Sequence, residues 1–151
     1  MSLILDGTAG VTGPATKVIV GTTTNDSAAA GYVGESITAS VTAQTVTSTA
    51  GNLTSVSLTA GDWDISAVMS CATTGANVWV KFGISQTSAT FTGSDAKDYV
   101  WVWCGTGVVC SGGIPGLRVS LSSTTTLYLV VQTSSVNNGN TSGYLSARRV
   151  R

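Results

Sequence analysis

Apolar and polar residues alternate along most of this chain with the two-residue period of a β-strand, and no stretch keeps the 3.6-residue period of a helix. The organising stretch runs from Leu53 to Ser70. Within it Trp63, Ile65, Ala67 and Met69 alternate with Asp62, Asp64, Ser66, Val68 and Ser70. That pattern predicts a strand with one face in a core and the other in solvent. Ala60-Gly61-Asp62 predicts the hinge to a shorter strand over 53–58, glycine supplying the backbone freedom of a tight reversal. Trp63, the largest apolar side chain, is expected to anchor the core at the strand's entry.

The remaining segments repeat the pattern. Residues 35–47 predict a strand with Ile37, Ala39, Val41, Ala43 and Thr45 on one face. Residues 78–84 predict another, with Val78, Val80, Phe82 and Ile84 inward, forming a hairpin with the Trp63 strand. Further strands are predicted over 17–20, 99–104, 117–121, 127–133 and 143–151, separated by loops at 85–98, 105–116 and 134–142. Phe91 is expected to fold down onto the core. Residues 1–16 are apolar but broken by Gly and Pro, which predicts an extended N-terminal arm ahead of a single domain over 17–151. Eight or nine strands with short turns make an all-β sandwich or barrel.

Composition sharpens this picture. The 151 residues are 42% hydrophobic but only 9% charged, against roughly 25% charged in an average domain. Ser, Thr, Gly and Ala take the place of charge, which suits strands with hydroxyl-covered outer faces. Seven basic and seven acidic residues cancel, so no field draws nucleic acid or an anionic membrane. So little charge also suits a chain that works as an obligate oligomer, because surface lost to an interface needs fewer charges. No run is apolar for the length of a membrane span, and synthesis in the cytoplasm is the expectation.

Chemistry is scarce. There is no histidine, and the three cysteines make no Cys-x-x-Cys spacing, so neither a metal centre nor a histidine-driven triad is expected, and no cofactor. Cys104 and Cys110 flank a short loop and a bridge between them is conceivable; free, buried thiols are the expectation for them and for Cys71. Asp62 and Asp64 share a face, and turn capping with solubility is preferred for them over catalysis or Ca²⁺ binding. Enzyme activity is not expected.

The 99–104 strand carries Tyr99, Trp101 and Trp103 on one face and Val100 and Val102 on the other. Both faces are apolar, which predicts a strand covered on both sides, either central or against another subunit. With Trp79, these aromatics can form a sugar-stacking platform; core or subunit interface is the preferred reading. On that basis Trp101→Ala is expected to cost roughly 3–5 kcal/mol. Arg148, Arg149 and Arg151 are assigned to inter-subunit salt bridges with Asp62, Asp64 or Glu35. Thr92, Asp95, Asn137, Asn138 and Asn140 are the candidate ligand contacts on the loops.

The segments Leu53-x-x-Val-Ser-Leu-Thr-Ala-Gly-Asp-Trp-Asp-Ile-Ser-Ala, Gly83-Ile-Ser-Gln-Thr-Ser-Ala-Thr, Val119-Ser-Leu-Ser-Ser-Thr-Thr-Thr-Leu-Tyr-Leu-Val and Gly143-Tyr-Leu-Ser-Ala-Arg-Arg-Val-Arg151 together resemble a group of tailed-bacteriophage virion proteins, over roughly residues 32–151. The lead-in Leu5-Asp-Gly-Thr-Ala-Gly-Val-Thr is similar to those of phage tail-fibre modules. The resemblance implies a jelly-roll similar to the heads of complement C1q and tumour necrosis factor, assembled as a homotrimer without catalytic residues. It implies a virion protein, assembled in the host cytoplasm, whose partners are its own copies, other virion proteins and a host surface glycan. A tail-fibre or adhesin head is the first reading. A capsid decoration or head-fibre protein is the second, and a stand-alone carbohydrate-binding module the third.

Overall fold

Strands with one apolar face must bury it, and here they do so against one another. The computed structural model describes residues 4–6, 10–12, 27–73, 78–91, 99–134 and 137–150. Its strands are β1 (Ile4–Asp6), β2 (Gly10–Thr12), β3 (Ser36–Val46), β4 (Gly51–Leu58), β5 (Gly61–Ala72), β6 (Val78–Ser85), β7 (Tyr99–Cys104), β8 (Val109–Leu121), β9 (Thr125–Thr133) and β10 (Asn137–Arg149). The predicted arm holds the β1–β2 pair, antiparallel with Leu5 opposite Val11. The strand predicted over 17–20 lies outside the described residues.

The other eight strands form two antiparallel sheets, ordered β3-β10-β5-β8 and β4-β9-β6-β7. From β3 onward the chain crosses between sheets at every connection except β6–β7. This alternation makes the domain an all-β jelly-roll sandwich. It also corrects the expected hairpin: β5 and the 78–84 strand lie in opposite sheets, and β6 pairs with β7 and β9 instead. Gly61, at φ 140°, turns the chain from one sheet into the other, a conformation that side chains with a Cβ rarely adopt.

The core lies between the sheets. Trp63, Ile65, Ala67, Met69 and Cys71 from β5 meet Val78, Val80, Phe82 and Ile84 from β6 and Leu127, Leu129 and Val131 from β9. Trp63 and Phe82 are fully buried, and the Trp63 indole N–H donates to the Thr59 carbonyl at 3.0 Å. Glycine makes room where side chains meet: a Cβ at Gly143 would overlap Leu53, and one at Gly112 would come within 2.8 Å of the Phe82 ring. Neither position can carry a larger residue without moving the core.

Two predicted segments differ in structure. Ala43 has φ 57°, and β3 carries an extra residue between its Val41 and Gln44 pairings with β10. This bulge flips the face, so Val46 is buried while Ala43 and Thr45 are exposed. The glycine-rich 105–116 segment is largely strand, because β8 starts at Val109. Pro115 is tolerated there because β8 is an edge strand and its ladder with β5 shifts register at that point.

Candidate functional site

The outward faces of the two sheets differ, and each has a candidate surface. On the first sheet the register aligns Arg148 with Asp64 and Asp64 with Arg118, then Ser146 with Ser66, then Tyr144 with Val68 and Val68 with Gly113. Val68 is 53% and Tyr144 42% exposed. They stand beside a trough of about 650 Å³ that also involves Ser40, Ser70 and Ser111. Charge is confined to one end of this face; around Val68 and Tyr144 it is hydroxyl and glycine, and Val109, 64% exposed, adds an apolar side chain at the far end.

On the second sheet β7 is the edge strand, which corrects the central-strand alternative for it. Val100 and Val102 pack against the core, whereas Trp101 is 48% and Trp103 70% exposed. The folding cost expected for Trp101→Ala from burial in the core therefore does not apply to the single chain. Register places Trp79 opposite Trp103 and Lys81 opposite Trp101. The Trp79 and Trp101 rings lie 4.6 Å apart, tilted by 45°. Lys81 Nζ lies 4.1 Å from the Phe91 ring centroid, 4.1 Å from that of Tyr99 and 5.6 Å from that of Trp101. Phe91 thus serves this outer surface, not the inter-sheet core. The Asn52 side chain donates to Ser88 Oγ at 2.7 Å and accepts the Ala89 N–H at 2.6 Å. These bonds carry the loop after β6 across to β4.

Arg149 is held within its own chain rather than between subunits. Residues 148 and 149 point to opposite faces, so Arg148 is exposed and Arg149 is buried. The Arg149 guanidinium lies 4.3 Å from the Trp63 ring centroid and pairs with Glu35 at 2.9 Å. It also donates to the Ala60 carbonyl at 2.8 Å and to Thr59 Oγ1. The Gly31 N–H on Glu35 Oε2, and then the hydrogen bond from Arg149, hold the Glu35 carboxyl below its ordinary range. Asp62 is engaged across strands by Arg118 at 3.0 Å and by Ser120 Oγ. Asp64 is exposed beside Arg148 and Arg118 in the register.

Cys104 and Cys110 form a disulfide with Cα atoms 5.7 Å apart, correcting the expected free thiols. The bridge joins β7 of one sheet to β8 of the other, and the corner between them is pinned by Thr73 Oγ1 donating to the Gly105 carbonyl at 2.7 Å. Cys71 is a buried thiol outside the disulfide that accepts from Thr141 Oγ1 at 3.2 Å. Of the loop candidates, Thr92 and Asp95 lie outside the described residues, as does Arg151. Asn137, Asn138 and Asn140 belong to β10, which corrects the predicted loop tip at 134–142; Asn140 is exposed. Lys81 was missed as a site residue. Its signal was a lone cation at an outward position of a strand whose partner carries three aromatics. Among the described residues no group of three or more His, Cys, Asp or Glu stands together to hold a metal ion.

No protein-family model and no curated protein matches this chain. Among solved structures it is similar to the infectious bursal disease virus VP2 subviral particle, at 13% identity and TM-score 0.49, over 77% of this chain and 32% of that one. It is similar to the infectious bursal disease virus Gx strain structure at 12% identity and TM-score 0.48, over 77% and 31%. It is also similar to a subunit of Bacillus endospore appendages described as disulfide-linked pili, at 18% identity and TM-score 0.38, over 85% and 100%. The chain thus spans about a third of the length of the viral proteins it matches. The jelly-roll assignment rests on strand order, independently of these matches.

Proposed function

We propose that this chain is a non-catalytic structural domain of a bacteriophage virion appendage, a tail-fibre or adhesin head. It assembles as a homotrimer through the outer face of the β3-β10-β5-β8 sheet. The observation that carries the assembly is the pair Val68 and Tyr144, half-exposed in the middle of a sheet whose other outward residues there are Ser and Gly. Covering both would contribute on the order of 2–4 kcal/mol per subunit before association costs. Small neighbouring side chains let a second copy approach closely, and the near-absence of charge leaves little to desolvate. A closed ring of like subunits satisfies such a face without leaving an open, fibre-forming contact.

Support for the virion setting comes from the phage-like segments in the sequence and from the jelly-roll they imply. The Cys104–Cys110 bridge suits a particle that works outside the reducing cytoplasm. Sedimentation tests the assembly: a trimer is expected, and Val68→Asp with Tyr144→Asp should give a folded monomer. A wild-type monomer at working concentration overturns it. Binding of the trimer to host cells, with none to purified undecorated capsids, supports the adhesin reading. The reverse result makes it a capsid decoration protein.

A further inference from the structure

The aromatic surface on β6 and β7 contains a cation that pairs with no carboxylate among the described residues. The ion pairs between described residues are Arg118–Asp62 and Arg149–Glu35; Lys81 is in neither. Its ammonium is surrounded by the Phe91, Tyr99 and Trp101 rings. These rings fix its direction and strip part of its water, and a charge so placed attracts an incoming anion more strongly than one in open solvent. Beside it, Trp101 and Trp103 present their rings outward from the same side of β7. Two residues apart on a strand, they are spaced by roughly 6.5–7 Å, a span that one pyranose ring can bridge.

We propose that this surface binds an acidic saccharide, a uronic or other sugar acid. The C–H face of its pyranose stacks on Trp101 and Trp103, and its carboxylate pairs with Lys81 Nζ. A neutral sugar would use the rings and leave the ammonium unanswered. A second copy of the chain fits less well. The exposed carboxylate on the opposite face, Asp64, is flanked in register by Arg148 and Arg118, so that face offers Lys81 no net negative partner. The proposal uses the sheet face that the trimer reading leaves open and does not depend on the trimer itself.

The test is a titration of the full chain with trigalacturonate and with sialyllactose, each beside a neutral sugar (maltotriose and lactose), followed by tryptophan fluorescence and calorimetry. Saturable binding is expected for an acidic probe, at least about tenfold tighter than for its neutral counterpart. Raising salt from about 0.05 to about 0.5 M should weaken it. Lys81→Met should remove the preference for acid, so that acidic and neutral probes bind with similar affinity. Trp103→Ala, at a position 70% exposed, should weaken both about tenfold or more with an unchanged sedimentation coefficient. If Trp101→Ala fails to fold, the Lys81 and Trp103 variants still decide. The proposal is overturned if neither acidic probe binds in a carboxylate-dependent way. It is equally overturned if Trp103→Ala alters the oligomeric state, because the rings would then belong to a subunit interface. The first result leaves the Val68 and Tyr144 trimer untouched, whereas the second would move a subunit contact to the aromatic face; sedimentation of the Val68 and Tyr144 variants tells the two apart.

Discussion

Arg149 and Lys81 are both cations laid against tryptophan, and their surroundings separate structure from recognition. Arg149 lies inside the end of the sandwich, with Trp63 beneath it, Glu35 beside it and the Thr59–Ala60 backbone and hydroxyl around it. Every feature of that guanidinium is answered by its own chain. Lys81 lies on the outside of the other sheet, with three rings around it and no carboxylate among the described residues. Burial of a charge is costly unless it is paired, so the buried cation must bring its acid along, whereas the half-exposed one can wait for a ligand to supply it. An aromatic–cation contact alone therefore says little about role; what decides is whether the charge has already been neutralised.

The comparison breaks most sharply at the buried pair. Arg149→Ala leaves the Glu35 carboxylate inside without its cation and should lower stability by about 3–5 kcal/mol in denaturant unfolding. A loss below about 1 kcal/mol would show that the clasp is not what closes this end. A smaller effect is expected in the acid limb. The folded-state Glu35 carboxyl is held below its ordinary value of 4.5, so its stabilisation is present above that value and fades as pH falls through the lower folded-state value. Melting temperature followed from neutral pH down to strongly acid pH should show this decline below about pH 4.5. In Glu35→Gln the decline should be shallower. The smallest effect is expected at the exposed surface: Trp103→Ala and Lys81→Met should each change stability by no more than about 0.5–1 kcal/mol. A larger loss in either would mean that the aromatic surface holds the fold together and is not kept open for a ligand.

Much of the fold could be read from alternation. The inward sets Trp63–Ile65–Ala67–Met69 and Val78–Val80–Phe82–Ile84 are the buried sets of β5 and β6, because a period of two leaves no choice about which residues share a face. Alternation is silent about partners, and so β5 and β6 were paired with each other although they lie in opposite sheets. It also fails across a bulge, where one added residue exchanges the two faces, as at Ala43. Glycine-rich stretches read as loops when a strand needs small residues for close approach; Gly112, beneath the Phe82 ring, is such a case. The candidate surface was half legible. The aromatics of β7 stood out by type, but whether they faced a core or solvent depended on which face of β7 turns toward the other sheet, and there Val100 and Val102 take the inward positions.

By itself, then, the sequence determined an all-β domain, the composition of its core and the alternation of its strand faces, because these follow from local periodicity and side-chain type. Only the tertiary structure decided that Arg149 closes on Glu35 across 114 residues, that Cys104 reaches Cys110 across a corner between sheets, and that Lys81 sits among Phe91, Tyr99 and Trp101. Those contacts join segments whose nearness arises from strand order, and strand order is set by the packing of the whole chain rather than by any one stretch of it.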